Sequence, residues 1–355
     1  MNSQIFPALV ALLAGAGIGV LLFVPFVAVQ YRRRGRLTIG QIMLWGGFLV
    51  YGFALWTYTL LPLPQPADIY CVGAQLHPFQ FLTDIGDYPA ASPGELVRNP
   101  AVQQVALNVA LFAPLGFFLR AVGRRGIFVT TLTGFAISLA IEFTQLTGVW
   151  GVYECAYRFF DVDDLIANTA GALLGGILSL VIMPFLTRSR SAAPGPQPVT
   201  RRRRALGMLC DALLVWLVGG VASAAVQGYR KFVLDADLTQ TGLADDVAVL
   251  VPLVGFGIIA LVTGRTLGDM TVLIRWDGGV RPTALKNLLR YLFGIGGWQI
   301  LLAWAPGFDG LFVVVSLIAV VVMNSRGGLP ALVSRAKPVD AGSQPMRRTG
   351  HSAGG

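Results

Sequence analysis

Three aspartates fall within four positions at Asp161-Val162-Asp163-Asp164, with Arg158 just before them and Asn168 one helical turn beyond. Carboxylates this close repel one another unless a cation, a guanidinium or a proton relieves them. Arg158 is the nearest counter-charge in sequence. Glu142 and Gln145 stand about one turn apart inside an apolar run, and Asn108 lies inside another. Polar groups in such runs are expensive where water is excluded, so each asks for a partner and a reason. Carboxylates and carboxamides in this pattern suit three kinds of chemistry. They can hydrogen-bond a glycan or lipid-linked ligand. They can hold Mg²⁺ through carboxylate oxygens, with Glu142 as general base for phosphoryl or glycosyl transfer. They can relay protons or bind a cation during transport. A plainer role also exists: Asp163 or Asp164 can cap a helix that begins there. Capping explains one or two of the acids but not Glu142 or Asn168.

The elements that position these residues are membrane spans. Apolar residues make up 55% of the 355 positions, charged residues 13%, and mean hydropathy is +0.67. That composition asks for lipid as solvent. A bilayer core takes about 20 apolar residues per helix, because each backbone polar group must be paired internally. The runs that qualify, or nearly so, are Pro7–Val29, Ile39–Leu61, Gln103–Leu119, Ile127–Thr147, Leu165–Leu186, Leu206–Val226, Val247–Val262, Leu288–Ala303 and Leu311–Met323. The expected fold is therefore all-α, a polytopic transmembrane bundle of about nine helices.

Orientation follows from Lys and Arg, which concentrate in cytoplasmic loops. Arg32, Arg33, Arg34 and Arg36 follow the first run, Arg120, Arg124 and Arg125 follow the third, and a cluster from Arg188 to Arg204 follows the fifth. Further basic residues lie between Arg265 and Lys286 and after the last run. The opposite loops hold only Arg98, Arg158, Arg230 and Lys231, while Arg290 opens a helix. The pattern predicts an outward N-terminus and an inward C-terminus. It also accounts for the net charge of +9, with the arginine clusters lying against anionic inner-leaflet lipids. No basic face with interleaved aromatics points to nucleic acid.

With that topology, Asn108, Glu142, Gln145, Arg158, Asp161, Asp163, Asp164 and Asn168 fall at one level, near the outer interface. Asn168, Gly171 and Gly175 share one stripe with Asp164, and the two glycines let a neighbouring helix approach closely. Cys71 and Cys155 both lie in outer loops, where a disulfide between them is permitted, although sequence alone does not supply the separation the bond requires. The Pro-rich loop from Pro62 to Pro100, with turns at Asp84–Pro89, is expected along the outer surface.

A stretch rich in Ser, Pro, Gly, Ala and Arg over residues 188–204 cannot bury enough apolar surface to fold alone. It reads as a cytoplasmic linker between a five-helix domain at 1–187 and a domain of about four helices at 205–324. Residues 325–355 read as a disordered cytoplasmic tail. In the second domain Asp211 lies inside an apolar run, with Arg204 or Arg290 as its expected partner. Arg275–Gly279 reads as a hairpin turning at Asp277–Gly278.

Three ordered blocks carry a resemblance. Asn108-x-x-Leu111-Phe112-x-Pro114-x-Gly116, Glu142-x-x-Gln145 and Arg158-x-x-Asp161-x-Asp163-Asp164-x-x-x-Asn168-x-x-Gly171-x-x-x-Gly175 resemble the VanZ-like family of bacterial membrane proteins. Pro78–Phe79 is similar to the short element preceding the family's second block, so the resemblance covers Leu76 to Gly175. It implies a multi-pass protein of the bacterial cell membrane with a cell-envelope role. The family's namesake is associated with low-level resistance to the glycopeptide teicoplanin. Gly264-Arg265-Thr266-Leu267-Gly268-Asp269, Val272–Gly279 and Leu288–Tyr291 together resemble the RDD family of small membrane domains, over about 203–323. Transport is proposed for some of its members, and the family usually has a basic residue where Asp269 stands.

The preferred expectation is an outer site that binds a lipid-linked or glycan envelope component and alters glycopeptide susceptibility. It needs neither a cofactor nor a resident metal. A metal-assisted transferase at the outer leaflet is the first alternative, although no His accompanies the aspartates. Transport through the RDD-like half is the second. Transporter sites usually lie near the bilayer midplane, whereas these polar groups sit near opposite surfaces.

Overall fold

The computed structural model describes residues 5–60, 70–88, 92–123, 125–186, 197–236 and 241–342. Its elements run α1 (Ile5–Arg34), α2 (Ile39–Leu60), β1 (Ala74–Gln75), α3 (Gln80–Asp87), α4 (Pro93–Arg98), α5 (Pro100–Ala121), α6 (Ile127–Leu146), α7 (Gly148–Gly151), β2 (Phe160–Asp161), α8 (Val162–Leu186), α9 (Arg201–Phe232) and α10 (Gly242–Thr263). Then follow α11 (Leu267–Thr271), β3 (Ile274–Gly278), α12 (Thr283–Leu292), α13 (Ile295–Trp304), α14 (Phe308–Val322), α15 (Gly328–Ser334) and β4 (Ala336–Asp340). Among the described residues seven helices, α1, α2, α5, α6, α8, α9 and α10, are long and apolar enough to cross a membrane, and α13 and α14 are apolar but shorter. The chain is an all-α polytopic membrane protein.

Two compact units emerge: Met1–Gly19 with Thr38–Arg190, and Val20–Leu37 with Ser191–Gly355. The units part at Arg190, and also within α1 and after it. The inner half of α1 goes with the second unit because Val24, Val27 and Tyr31 share a core there with Cys210, Val272 and Ile274.

In the first unit α5 and α8 run parallel in close contact. A Cβ on Gly171 would overlap the Val109 carbonyl, one on Gly175 the Ala113 carbonyl, and one on Gly116 the Ala172 carbonyl. Small residues on both helices thus set the spacing, as expected where lipid supplies no hydrophobic drive between helices. Gly134 of α6 meets Ala172 in the same way. Leu55, Phe112 and Leu115 close the core between α2 and α5.

The described residues of the 62–100 loop form helices and a strand as well as turns. Residues 84–87 are the end of α3, and Asn99 joins that helix to α5. Its amide donates to the Ile85 and Tyr88 carbonyls while its oxygen accepts from the Ala101 and Val102 amides, capping α5. Cys71 and Cys155 form a disulfide with Cα atoms 5.5 Å apart, and beside it β1 pairs parallel with β2, Ala74 opposite Phe160 and Gln75 opposite Asp161.

The second unit corrects four expectations. The apolar run 288–303 is two helices, because α12 ends at Leu292 and Gly294 takes a non-helical conformation before α13. The strand at Arg275–Gly279 makes no local hairpin. β3 pairs antiparallel with β4, Ile274 opposite Asp340 through to Gly278 opposite Ala336. Residues expected at the start of a disordered tail therefore hold α15 and β4, whose Ala331 and Ala336 are buried in the core with Trp276. The linker is helical from Arg201, where Thr200 caps α9 by accepting from the Arg203 amide. The stretch Ser189–Pro196 and the tail after Gly342 lie outside the described residues.

Candidate functional site

The carboxylates of the first unit gather where α5 and α8 begin and α6 ends, but each is spent differently. Asp163 is buried and turns away from its neighbours, accepting from the backbone amides of Phe79 at 2.6 Å and Phe81 at 2.8 Å. It thereby caps α3 from a distance and fixes the Pro78–Phe79 element to α8. Asp161 accepts from the Asp163 amide at 2.8 Å and the Gln75 side chain at 3.4 Å. Its own amide donates to Glu142, 3.1 Å away. Asp164 accepts from the Asn108 and Gln104 carboxamides.

Two of the expected site residues serve α2. Gln145 and Arg158 both donate to the Thr59 carbonyl, at 2.8 and 2.9 Å, and the Tyr157 hydroxyl donates to Leu60. The final carbonyls of a helix lack intrahelical partners and carry partial negative charge, so a guanidinium there is well placed. Arg158 thus serves the end of α2, and its charge also acts on Glu142. Asn168 is buried between α8 and α6, donating to Ser138 at 2.9 Å, while its side-chain oxygen accepts no bond among the described residues.

The result has two layers. Glu142, only 3% exposed, Asp163 and Asn168 are buried and position their neighbours. Asp161, Asp164 and Asn108 remain partly accessible, with Gln104 exposed beside them. Burial raises the Asp161 carboxyl above its ordinary value, and the nearby charges of Asp163 and Asp84 push the same way. The three aspartates each accept from different donors. Among the described residues no group of three or more His, Cys, Asp and Glu side chains is arranged to hold a metal. This arrangement does not fit the Mg²⁺ set that the alternative transferase reading requires.

Sequence reasoning missed Gln104, Ser138 and Thr59. Gln104 precedes Asn108 by four residues and Ser138 precedes Glu142 by four, so helical spacing could have found both. Thr59 contributes only its carbonyl, which leaves no mark in sequence.

The second unit holds a buried ion network whose centre is Asp269, with no exposed surface. Arg204 approaches one carboxylate oxygen at 2.6 Å, while Arg290 at 3.1 Å and the Trp276 indole N–H at 2.8 Å approach the other. Both guanidiniums stack on the Trp276 ring, 5.1 and 4.1 Å from its centroid. Asp211 takes neither arginine. It accepts from the Gly268 amide at 2.6 Å and the Thr266 hydroxyl at 2.7 Å, holding the start of α11. The expected pairing of Asp211 with Arg204 or Arg290 is thus replaced by Asp269, which the chain folds onto them through a Thr266–Asp269 capping box. Arg203 makes a further pair with Asp340 of β4 at 2.5 Å.

Residues 48–183 match the model of the VanZ/LLP1 family. No curated protein and no solved structure matches the chain. The matched stretch contains all the candidate residues of the first unit. With the seven membrane-length helices it makes this a multi-pass bacterial membrane protein whose N-terminal part is VanZ-like.

Proposed function

We propose that the VanZ-like part binds the glycan or peptide portion of a lipid-linked envelope component at the outer interface, and through it influences susceptibility to glycopeptides of the teicoplanin type. The observation that carries this reading is the accessible layer of Asp161, Asp164, Asn108 and Gln104, held in place by buried Asp163 and Glu142. Carboxylates and carboxamides hydrogen-bond hydroxyl and amide groups well, whereas several acids together repel a bare phosphate. The recognised part is thus the sugar or peptide, with the lipid phosphate held away from the aspartates.

The test is a resistance assay in a host expressing the protein with Glu142→Gln, Asp164→Asn or Asn168→Ala. Each variant is expected to lose any resistance phenotype while its membrane level stays at that of the unaltered protein. Full activity in all three overturns the reading.

The second unit reads as an RDD-like domain on its sequence resemblance. Asp211, Asp269, Arg204 and Arg290 are buried and bonded to protein groups, which supports a structural role for them over a transport path.

A further inference from the structure

We infer that Thr200, Arg201, Arg202 and Arg326 form a phosphate-binding site at the inner membrane boundary, occupied by the headgroup of an anionic phospholipid. The four residues line one cavity of about 350 Å³ in the second unit. They come from two separate places in the chain. Thr200–Arg202 open α9, and Arg326 follows the end of α14 at Val322. Both are ends of apolar helices, and the arginine pattern puts both on the cytoplasmic side, so the cavity sits at headgroup depth. This inference depends on that orientation and is independent of the function proposed for the first unit.

Charge accounting favours an anion there. Four arginines occupy the first turn of α9, where the helix dipole is positive and basic residues are unfavourable. Two of them are neutralised within the protein, Arg203 by Asp340 and Arg204 by Asp269. Arg201 and Arg202 are exposed and, among the described residues, make no ion pair. Arg326 is anchored by a bond from one guanidinium nitrogen to the Val199 carbonyl, which keeps it beside them while its other N–H groups remain available. A phosphate accepting from guanidiniums on two elements would relieve this stress, and charge-assisted pairs of that kind are the strong ones. A lipid phosphate is favoured over a free one because the flanking helices are lipid-facing, with Trp216, Val321 and Val322 exposed.

The experiment titrates the purified full-length protein with phosphatidylglycerol, phosphatidylcholine or inorganic phosphate and counts bound lipid by native mass spectrometry. The unaltered protein is expected to bind a first phosphatidylglycerol more tightly than phosphatidylcholine. Arg201→Gln with Arg202→Gln, and separately Arg326→Gln, should weaken that first binding about tenfold or more. Arg125→Gln removes the same charge from another cytoplasmic loop and should leave it unchanged. Arg201→Lys with Arg202→Lys keeps the charge and should retain most of the binding, which separates loss of the site from loss of the fold. Equal affinity for phosphatidylglycerol in the glutamine variants and the unaltered protein overturns the site. Saturation by inorganic phosphate with no lipid preference overturns the lipid as its source.

Discussion

Asp161 is the residue at which function and stability should separate. Its carboxyl is raised by burial first and by Asp163 and Asp84 after that. A folded-state value above the unfolded one means the folded protein binds the extra proton between the two. Stability then falls as pH rises through that window, and the loss is complete above the folded value. Asp161→Asn removes this cost and can still accept from the Asp163 and Gln75 N–H groups. Its thermal midpoint at pH 7.5 should equal or exceed that of the unaltered protein, the advantage fading toward about pH 4, near the ordinary aspartate value. A clear drop at pH 7.5 would mean the charge is structural. The opposite holds for Asp269, where loss of charge strands two buried guanidiniums. Asp269→Asn should cost about 3–5 kcal/mol, the range for breaking a buried ion pair. Asp211→Asn disturbs only hydrogen bonds to Gly268 and Thr266 and should cost about 1–3 kcal/mol. Denaturation of the two variants in the same detergent ranks them, and the reverse order would displace Asp269 from the centre of the network. The sequence flagged Asp211 because an acid in an apolar run stands out. Asp269 lies in a polar loop and is buried only by the fold, so its central place was not legible.

Among elements, the contact of α5 with α8 is the one most dependent on residue size. Gly175 admits the Ala113 carbonyl, and any side chain there must push the helices apart. Gly175→Val should destabilise the protein by about 1–3 kcal/mol or more, by overpacking, and lower its membrane level in quantitative blots. Gly126→Ala, where a Cβ meets nothing, should leave that level unchanged. The disulfide between Cys71 and Cys155 closes a loop with a sequence separation of 84. Loss of such a bond costs about 2–5 kcal/mol. Cys71→Ser should therefore lower the thermal midpoint, and reductant should do the same to the unaltered protein while leaving the variant unaffected. The spans were readable because length and hydropathy are local properties of a run. Helix capping across sequence was not: Asp163 serves the backbone of Phe79 and Phe81, and backbone groups carry no residue signature. The pairing of β3 with β4 escaped for a related reason, since Ala336–Asp340 sits in a composition typical of tails and gains its partner only in the fold.

At the scale of the whole molecule, topology rests on the arginine pattern, and the disulfide agrees with it. Cys71 and Cys155 lie in loops that the pattern puts outside, the side on which such bonds persist. The hairpin of α13 and α14 tests that topology hardest. At about 1.5 Å per residue, the 10 residues of α13 rise about 15 Å, short of a hydrocarbon core of about 30 Å. Its neighbours α9 and α10 are full length, so the hairpin either crosses a locally thinned bilayer or stops within it. The chemistry of its tip decides between these. Trp304 and Phe308 are exposed on either side of it, in keeping with an aromatic belt, and Asp309 accepts from the Gly307 amide at 2.9 Å. A carboxylate so placed is costly in hydrocarbon and inexpensive at an interface. Crossing with local thinning is the outcome this favours, because short spans are accommodated that way at modest cost. Cysteine at 309 should then react with a membrane-impermeant maleimide added to intact spheroplasts, in a background where Cys210 is buried and Cys71 is bridged to Cys155. Cysteine at 277, on the β3 side of the same unit, should react only after the membrane is opened. Labelling of position 309 only after opening would make the hairpin re-entrant and leave the seven long helices as the spans among the described residues.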